Sequence, residues 1–195
     1  MRRLKIGVLG SGKGSNFCAI LGAIADGRLD AEPVIVMSDV AGAGILDLAR
    51  GAGIACEVIR EPKFRTKLSP TVEAGVVESL RAAGVELVVL AGYMRMVKQP
   101  LLDAFPRRVI NIHPALLPEF PGLEAWRQAL EAGVTKTGCT VHFVDAGMDT
   151  GEVIAQAEVP VLAGDSAESL HARIQVAEHR VYPEVVARFA SGELP

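Results

Sequence analysis

Asn111 and His113 stand two residues apart in the run Val109-Ile110-Asn111-Ile112-His113-Pro114. An amide donor beside an imidazole can stabilise an oxyanion while the imidazole supplies or moves a proton. If Val109–His113 is a strand, side chains alternate faces, so Asn111 and His113 project together while Ile110 and Ile112 enter the core. Pro114 favours an extended His113 and ends ladder donation, which sets the pair at the strand's carboxyl edge. Open α/β sheets hold their ligands at that edge. A capped strand end with a surface histidine would satisfy the same spacing.

Two further segments carry chemistry. Asp145-Ala146-Gly147-Met148-Asp149-Thr150-Gly151 reads either as an ordinary acidic loop or as the source of a carboxylate that pairs with His113 and favours its protonated form. Gly10-Ser11-Gly12-Lys13-Gly14-Ser15-Asn16 follows an apolar run and precedes a helical pattern. Glycines at such a turn let backbone approach an anion, and a helix N-terminus supplies free N–H groups, so phosphate is the expected guest. The turn is also readable as a tight loop with Ser15 or Asn16 capping the helix. It misses the P-loop because Gly14, not a hydroxyl residue, follows Lys13; it misses the dinucleotide fingerprint because Ser15 replaces the third glycine, although Asp39 could imitate that fingerprint's ribose-binding acid. No metal site is expected: His113, His142, His171 and His179 lack metal-ligand spacing, and His142 and His171 read as packing or surface residues.

The elements that must carry these residues alternate. Strands are expected at Leu4–Leu9, Pro33–Met37, Ala55–Ile59, Leu87–Ala91, Arg108–His113, Cys139–Val144 and Val153–Val161. Helices are expected near Ser15–Ala25, Gly44–Ala52, Thr71–Ala83, Leu123–Ala132 and Ala167–Phe189. This alternation predicts a single α/β domain over residues 1–195, with a doubly wound, mainly parallel sheet. The last two strands lack a helical crossover, which predicts a late antiparallel element.

Composition bounds the function class. The chain has 195 residues, half of them hydrophobic, and a net charge of −3. The mixed charge argues against a nucleic-acid footprint or a basic membrane-surface protein. Three widely spaced cysteines, Cys18, Cys56 and Cys139, fit reduced thiols and a cytoplasmic location. No run approaches the roughly 20 apolar residues of a membrane span.

Gly10–Asn16, Ala91-Gly92-Tyr93-Met94-Arg95, Asn111–Gly122 and Gly138–Gly151 together resemble the phosphoribosylglycinamide formyltransferase family, in order and spacing, over about residues 4–190. Related formyltetrahydrofolate hydrolases carry an extra N-terminal domain and methionyl-tRNA formyltransferases a C-terminal one, for which 195 residues leave no room. The resemblance implies a Rossmann-like formyltransferase fold, 10-formyltetrahydrofolate as cosubstrate, no metal, and formyl transfer to the amine of phosphoribosylglycinamide through a tetrahedral intermediate. It implies that Gly14, Ser15, Asn16, Gln175 and Glu178 bind the ribonucleotide. Lys67, Met94, Arg95, Met96, Val97, Asn111 and the loop Asp145, Ala146, Gly147, Met148 and Asp149 would meet the folate. Asn111, His113 and Asp149 match the family's oxyanion-stabilising asparagine, its histidine, and the aspartate that keeps the histidine protonated. A cis Leu117–Pro118 bond is implied as well. Ala146, Glu152 and Trp126 depart from the usual pattern, Trp126 standing where histidine is frequent. Small-molecule partners and a monomer or weak homodimer are expected. A hydrolase on the same scaffold and a non-catalytic phosphate-binding domain are the rival expectations.

Overall fold

In a computed structural model, which describes residues 3–195, seven strands form one sheet in the order β3-β2-β1-β4-β5-β6-β7. The strands are β1 (Leu4–Leu9), β2 (Ala31–Ser38), β3 (Ala55–Val58), β4 (Leu87–Leu90), β5 (Val109–His113), β6 (Lys136–Phe143) and β7 (Val153–Pro160). Strands β1 to β5 pair in parallel, whereas β5–β6 and β6–β7 are antiparallel. The helices are α1 (Ser15–Ala25), α2 (Gly44–Gly51), α3 (Pro70–Ala82), α4 (Gln99–Ala104), α5 (Ala125–Glu131) and α6 (Ala167–Ala190). This is the expected doubly wound architecture with its late antiparallel element.

The sheet is buried on both faces by two hydrophobic clusters. Phe17 and Ile20 of α1, Ile45 and Leu46 of α2, and Leu170 and Ile174 of α6 pack on one face with Val8, Val89 and Ile110. Val76, Val77 and Leu80 of α3 and Leu101 of α4 pack on the other with Leu9, Val88 and Val109. Buried on both sides, β4 has no polar face and reads Leu-Val-Val-Leu. Helix α4 is six residues long with proline in its first turn, too short for a periodic apolar pattern, which is why the sequence does not announce it. Strand β2 begins two residues before its expected start, with Pro33 inside it. The register of β1 against β2 shifts between Ile6 and Gly7, beside the missing proline donor.

Chain order reverses between β1 and β4, so the loops after these neighbouring strands diverge and leave a crevice at their carboxyl ends. Those loops are Gly10–Gly14 and Ala91–Val97. Tyr182 of α6 reaches under the crevice, its hydroxyl 2.8 Å from the Leu90 carbonyl oxygen and 3.2 Å from that of Ile110. No described helix is long and apolar enough to cross a membrane.

Candidate active site

The crevice opens into a cleft of about 790 Å³. Its walls include Gly12–Asn16, Leu90–Val97, Asn111–Pro114, part of the Asp145–Asp149 loop, and Gln175 and Glu178 of α6. The three segments singled out in the sequence therefore share one cavity.

At one end lies the first loop. Gly14 is the N-cap of α1 with φ of +81°, and no side chain caps the helix. The expectation that Ser15 or Asn16 caps it is overturned: glycine takes that position, and the first-turn N–H groups stay unpaired and available to an anion. A Cβ on Gly14 would lie 2.9 Å from Ile45 in a backbone region unfavourable to other residues, whereas one on Gly12 would meet nothing within 4 Å. Gly14 is thus needed by the protein itself, and Gly12 leaves room in the cleft.

Asn16 turns inward instead of capping. Its Nδ2 donates to Glu178 Oε2 at 3.0 Å, while its Oδ1 is buried without a partner. Burial raises the Glu178 carboxyl above its ordinary range, opposed by the Asn16 hydrogen bond. A raised folded-state value means that the folded protein holds the proton more tightly than the unfolded chain. Keeping Glu178 charged therefore costs stability at neutral pH, and that cost fades as pH falls through the folded value. Glu178→Gln is expected to melt higher than wild type at pH 8, by on the order of 1 kcal/mol or ~2–4 °C, with the difference shrinking towards pH 4.5. Thermal melts at both pH values check this; an equal gap at each would remove the carboxylate's charge as its cause.

The segment Met94–Val97 is tied to the first loop through Asp39. Asp39 accepts from Ser11 Oγ at 2.6 Å and from Arg95 Nε at 2.7 Å, and Ser11 Oγ in turn accepts from the Met94 N–H at 2.9 Å. Arg95 also donates to the carbonyls of Phe64 and Lys67. Asp39 is a brace rather than a ribose-binding acid; it does not line the cleft. Arg95 spends its guanidinium on the protein, so this segment offers the cleft chiefly its backbone and the exposed Met94 side chain. The Arg95 and Asp39 side chains are only 12% and 8% exposed. Asp39→Ala would leave Arg95 Nε and the Ser11 hydroxyl without their acceptor while Arg95 keeps its two carbonyls, and a loss of about 1–3 kcal/mol in denaturant unfolding is expected.

At the other end the antiparallel register does the positioning. Asn111 lies opposite His142, and His113 opposite Thr140. Directly opposed residues share a face, so Asn111 and His142 meet, Nδ2 to Nε2 at 3.3 Å. His142 Nδ1 faces the Phe143 carbonyl at 2.9 Å, which assigns the ring hydrogen to Nδ1 and leaves Nε2 to accept from Asn111. Burial lowers the His142 pKa and so favours that neutral form. One Asn111 amide hydrogen is thereby committed, and the other remains for the cleft. Thr140 Oγ1 donates to the Ala115 carbonyl and accepts from the Leu117 N–H, pinning the turn after His113. The Leu117–Pro118 bond in this turn is cis, as the resemblance implies.

His113 is 4% exposed, not a surface histidine. Its Nε2 donates to the Phe120 carbonyl at 2.8 Å, and its Nδ1 lies 3.4 Å from Asp149 Oδ2. The same carboxylate accepts from the Gly122 N–H at 2.9 Å and brings Oδ1 to 3.7 Å from His142 Nε2. Of the two loop acids, Asp149 is the one that meets the histidine. Asp145 instead closes its own loop, accepting from Thr150 Oγ1 and the Gly147 N–H. A Cβ on Gly151 would fall 1.7 Å from the Phe143 carbonyl oxygen, so glycine is required where this loop returns to the sheet.

Some expected contacts lie elsewhere. Lys67 does not line the cleft; its ammonium lies over the Phe64 ring at 4.7 Å, and its backbone bridges to Met96. Ala146 is also outside the lining, although Asp145, Gly147, Met148 and Asp149 belong to it. Conversely, His142 and His171, which the sequence suggested were packing or surface residues, both line the cleft. The register against Asn111 gives the signal for the first, and helical spacing from Gln175 and Glu178 the signal for the second. Among the described residues no cluster of three or more metal-ligating side chains occurs.

A sequence profile described as formyl transferase matches residues 4–186. The chain belongs to the formyl transferase family. Within that family it is 40% identical to the phosphoribosylglycinamide formyltransferase of Bacillus subtilis, over 93% of this chain and 92% of that protein. It is 47% identical to the trifunctional purine biosynthetic protein adenosine-3 of Drosophila pseudoobscura over 98% of this chain, but spans only 14% of that protein. A crystal structure of glycinamide ribonucleotide transformylase 1 from Symbiobacterium toebii superposes on this formyl transferase with a TM-score of 0.92 at 51% identity, covering 98% of this chain and 89% of that one.

Proposed function

We propose that this chain transfers a formyl group from 10-formyltetrahydrofolate to the amine of 5'-phosphoribosylglycinamide in purine biosynthesis. The observation that carries the reading is one cleft holding both an anion-receptive helix terminus and the Asn111–His113–Asp149 group. A phosphorylated acceptor gripped at Gly14, Ser15 and Asn16, with Gln175 and Glu178 beside it, reaches along the cleft towards His113. The folate ring system lies against Met94–Val97 and the loop from Asp145 to Asp149, whose apolar rim suits a flat heteroaromatic ligand.

Attack of the amine on the formyl carbon moves negative charge onto the formyl oxygen. The uncommitted Asn111 amide hydrogen and the positive ring of His113 stabilise that charge. Asp149 balances the ring and accepts a proton as the amine loses one, directly or through water. Collapse of the tetrahedral intermediate restores the carbonyl and breaks the bond from the formyl carbon to the folate nitrogen, which takes up a proton in turn and leaves as tetrahydrofolate. Holding both reactants side by side removes up to roughly 7–11 kcal/mol of the barrier. We read residues 1–195 as one cytoplasmic formyltransferase unit, a monomer or weak homodimer acting on small molecules without nucleic acid or membrane. The three cysteines, free in the structure, accord with a reducing compartment.

The test is tetrahydrofolate production by purified protein, with each component omitted in turn. Production that depends on the ribonucleotide is expected. Equal release of formate without the ribonucleotide would make the chain a hydrolase instead.

A further inference from the structure

Trp126 and His171 are stacked, with ring centroids 3.7 Å apart and planes 3° from parallel, and both rings border the cleft. Trp126 comes from α5 and packs on the core. His171 lies on α6 at spacing i, i+4, i+7 with Gln175 and Glu178, so the three share one helix face, and all three line the cleft. Among the described residues neither His171 ring nitrogen meets a hydrogen-bond partner, and neither is sealed from solvent. The stack holds the ring plane and leaves its polar edge open.

The uncommitted groups at this end are mostly donors: the first-turn N–H groups of α1, the Lys13 ammonium, the Gln175 amide and the His171 ring. The nearby carboxylates are already engaged, Glu178 by Asn16 and Glu124 by Arg127. A phosphate monoester, with three acceptor oxygens and almost two charges, satisfies such a set. We propose that His171, held in place by Trp126, recognises the phosphate of the acceptor, in addition to Gly14, Ser15 and Asn16. The proposal rests on reading this cleft as a ribonucleotide site.

Trp126 is the one tryptophan in the sequence, so its emission reports on the pair. Titration with ribose 5-phosphate is expected to change that emission saturably, and titration with ribose to leave it unchanged. His171→Phe keeps a ring for the stack and removes both polar ring nitrogens, the N–H donor among them. It is expected to bind ribose 5-phosphate and the glycinamide ribonucleotide about tenfold or more weakly, with kcat and the folate KM within about twofold of wild type. His171→Gln, which keeps a donor, is expected to recover part of the affinity. Unchanged affinity in a folded His171→Phe, alongside normal formyl transfer by wild type, would overturn this proposal and leave the function standing. Loss of ribose 5-phosphate affinity in the variant of a protein that makes no product would overturn the function and leave this proposal standing. A saturable emission change with ribose equal to that with ribose 5-phosphate would mean that the pair does not read the phosphate, and would overturn the proposal.

Discussion

Replacing Asp149 with asparagine is expected to slow formyl transfer by about 10²–10³-fold while leaving the melting temperature within a few degrees of wild type. One carboxylate faces His113 Nδ1 at 3.4 Å and His142 Nε2 at 3.7 Å, and accepts from the Gly122 N–H at 2.9 Å. An asparagine matches its size but offers one accepting end instead of two. It cannot take a proton, nor balance a positive imidazole ring. Asp149 also holds φ of 56°, a conformation that asparagine tolerates better than other non-glycine residues, so the loop is expected to persist. Steady-state kinetics beside a thermal melt checks both halves; near-normal turnover would take Asp149 out of the chemistry.

His113→Ala is expected to lose at least as much, and the loss should fall on kcat. In the proposed binding mode the ribonucleotide's phosphate sits at the far end of the cleft, so its binding should not depend on the imidazole. Some stability goes with it, because the ring is 4% exposed and its removal leaves the Phe120 carbonyl without a donor. A cost of about 1–3 kcal/mol is expected from that orphaned acceptor. A variant with normal kcat and a raised acceptor KM would reassign His113 to binding.

The parts of this site legible in the sequence are those set by local periodicity. Asn111 and His113 share a face because strands alternate, and they sit at the sheet's ligand edge because Pro114 ends the strand. Gly10–Asn16 is legible as a glycine-rich turn that opens a helix, and its Gly12–Asn16 part lines the cleft with that helix terminus uncapped. Contacts made by strand pairing or loop return were not legible from local pattern. His142 faces Asn111 only through the β5–β6 register. Nothing in its own strand distinguishes it from a packed histidine. The choice between Asp145 and Asp149 depends on where the loop doubles back at Gly151. Asp39 looked like a ribose ligand because it follows β2, yet residues far along the chain, Ser11 and Arg95, claim it. The capping expectation failed for a local reason: Gly14 in a left-handed conformation starts α1 itself, which turns Asn16 towards Glu178.

A double-mutant cycle on kcat, comparing wild type, His113→Ala, Asp149→Asn and the double variant, probes the heart of this account. If imidazole and carboxylate work as one proton-handling unit, the double variant will be about as slow as the slower single variant. Losses that multiply, each residue costing as much with its neighbour gone as with it present, would mean that the two act separately and that the contact between them is incidental to catalysis.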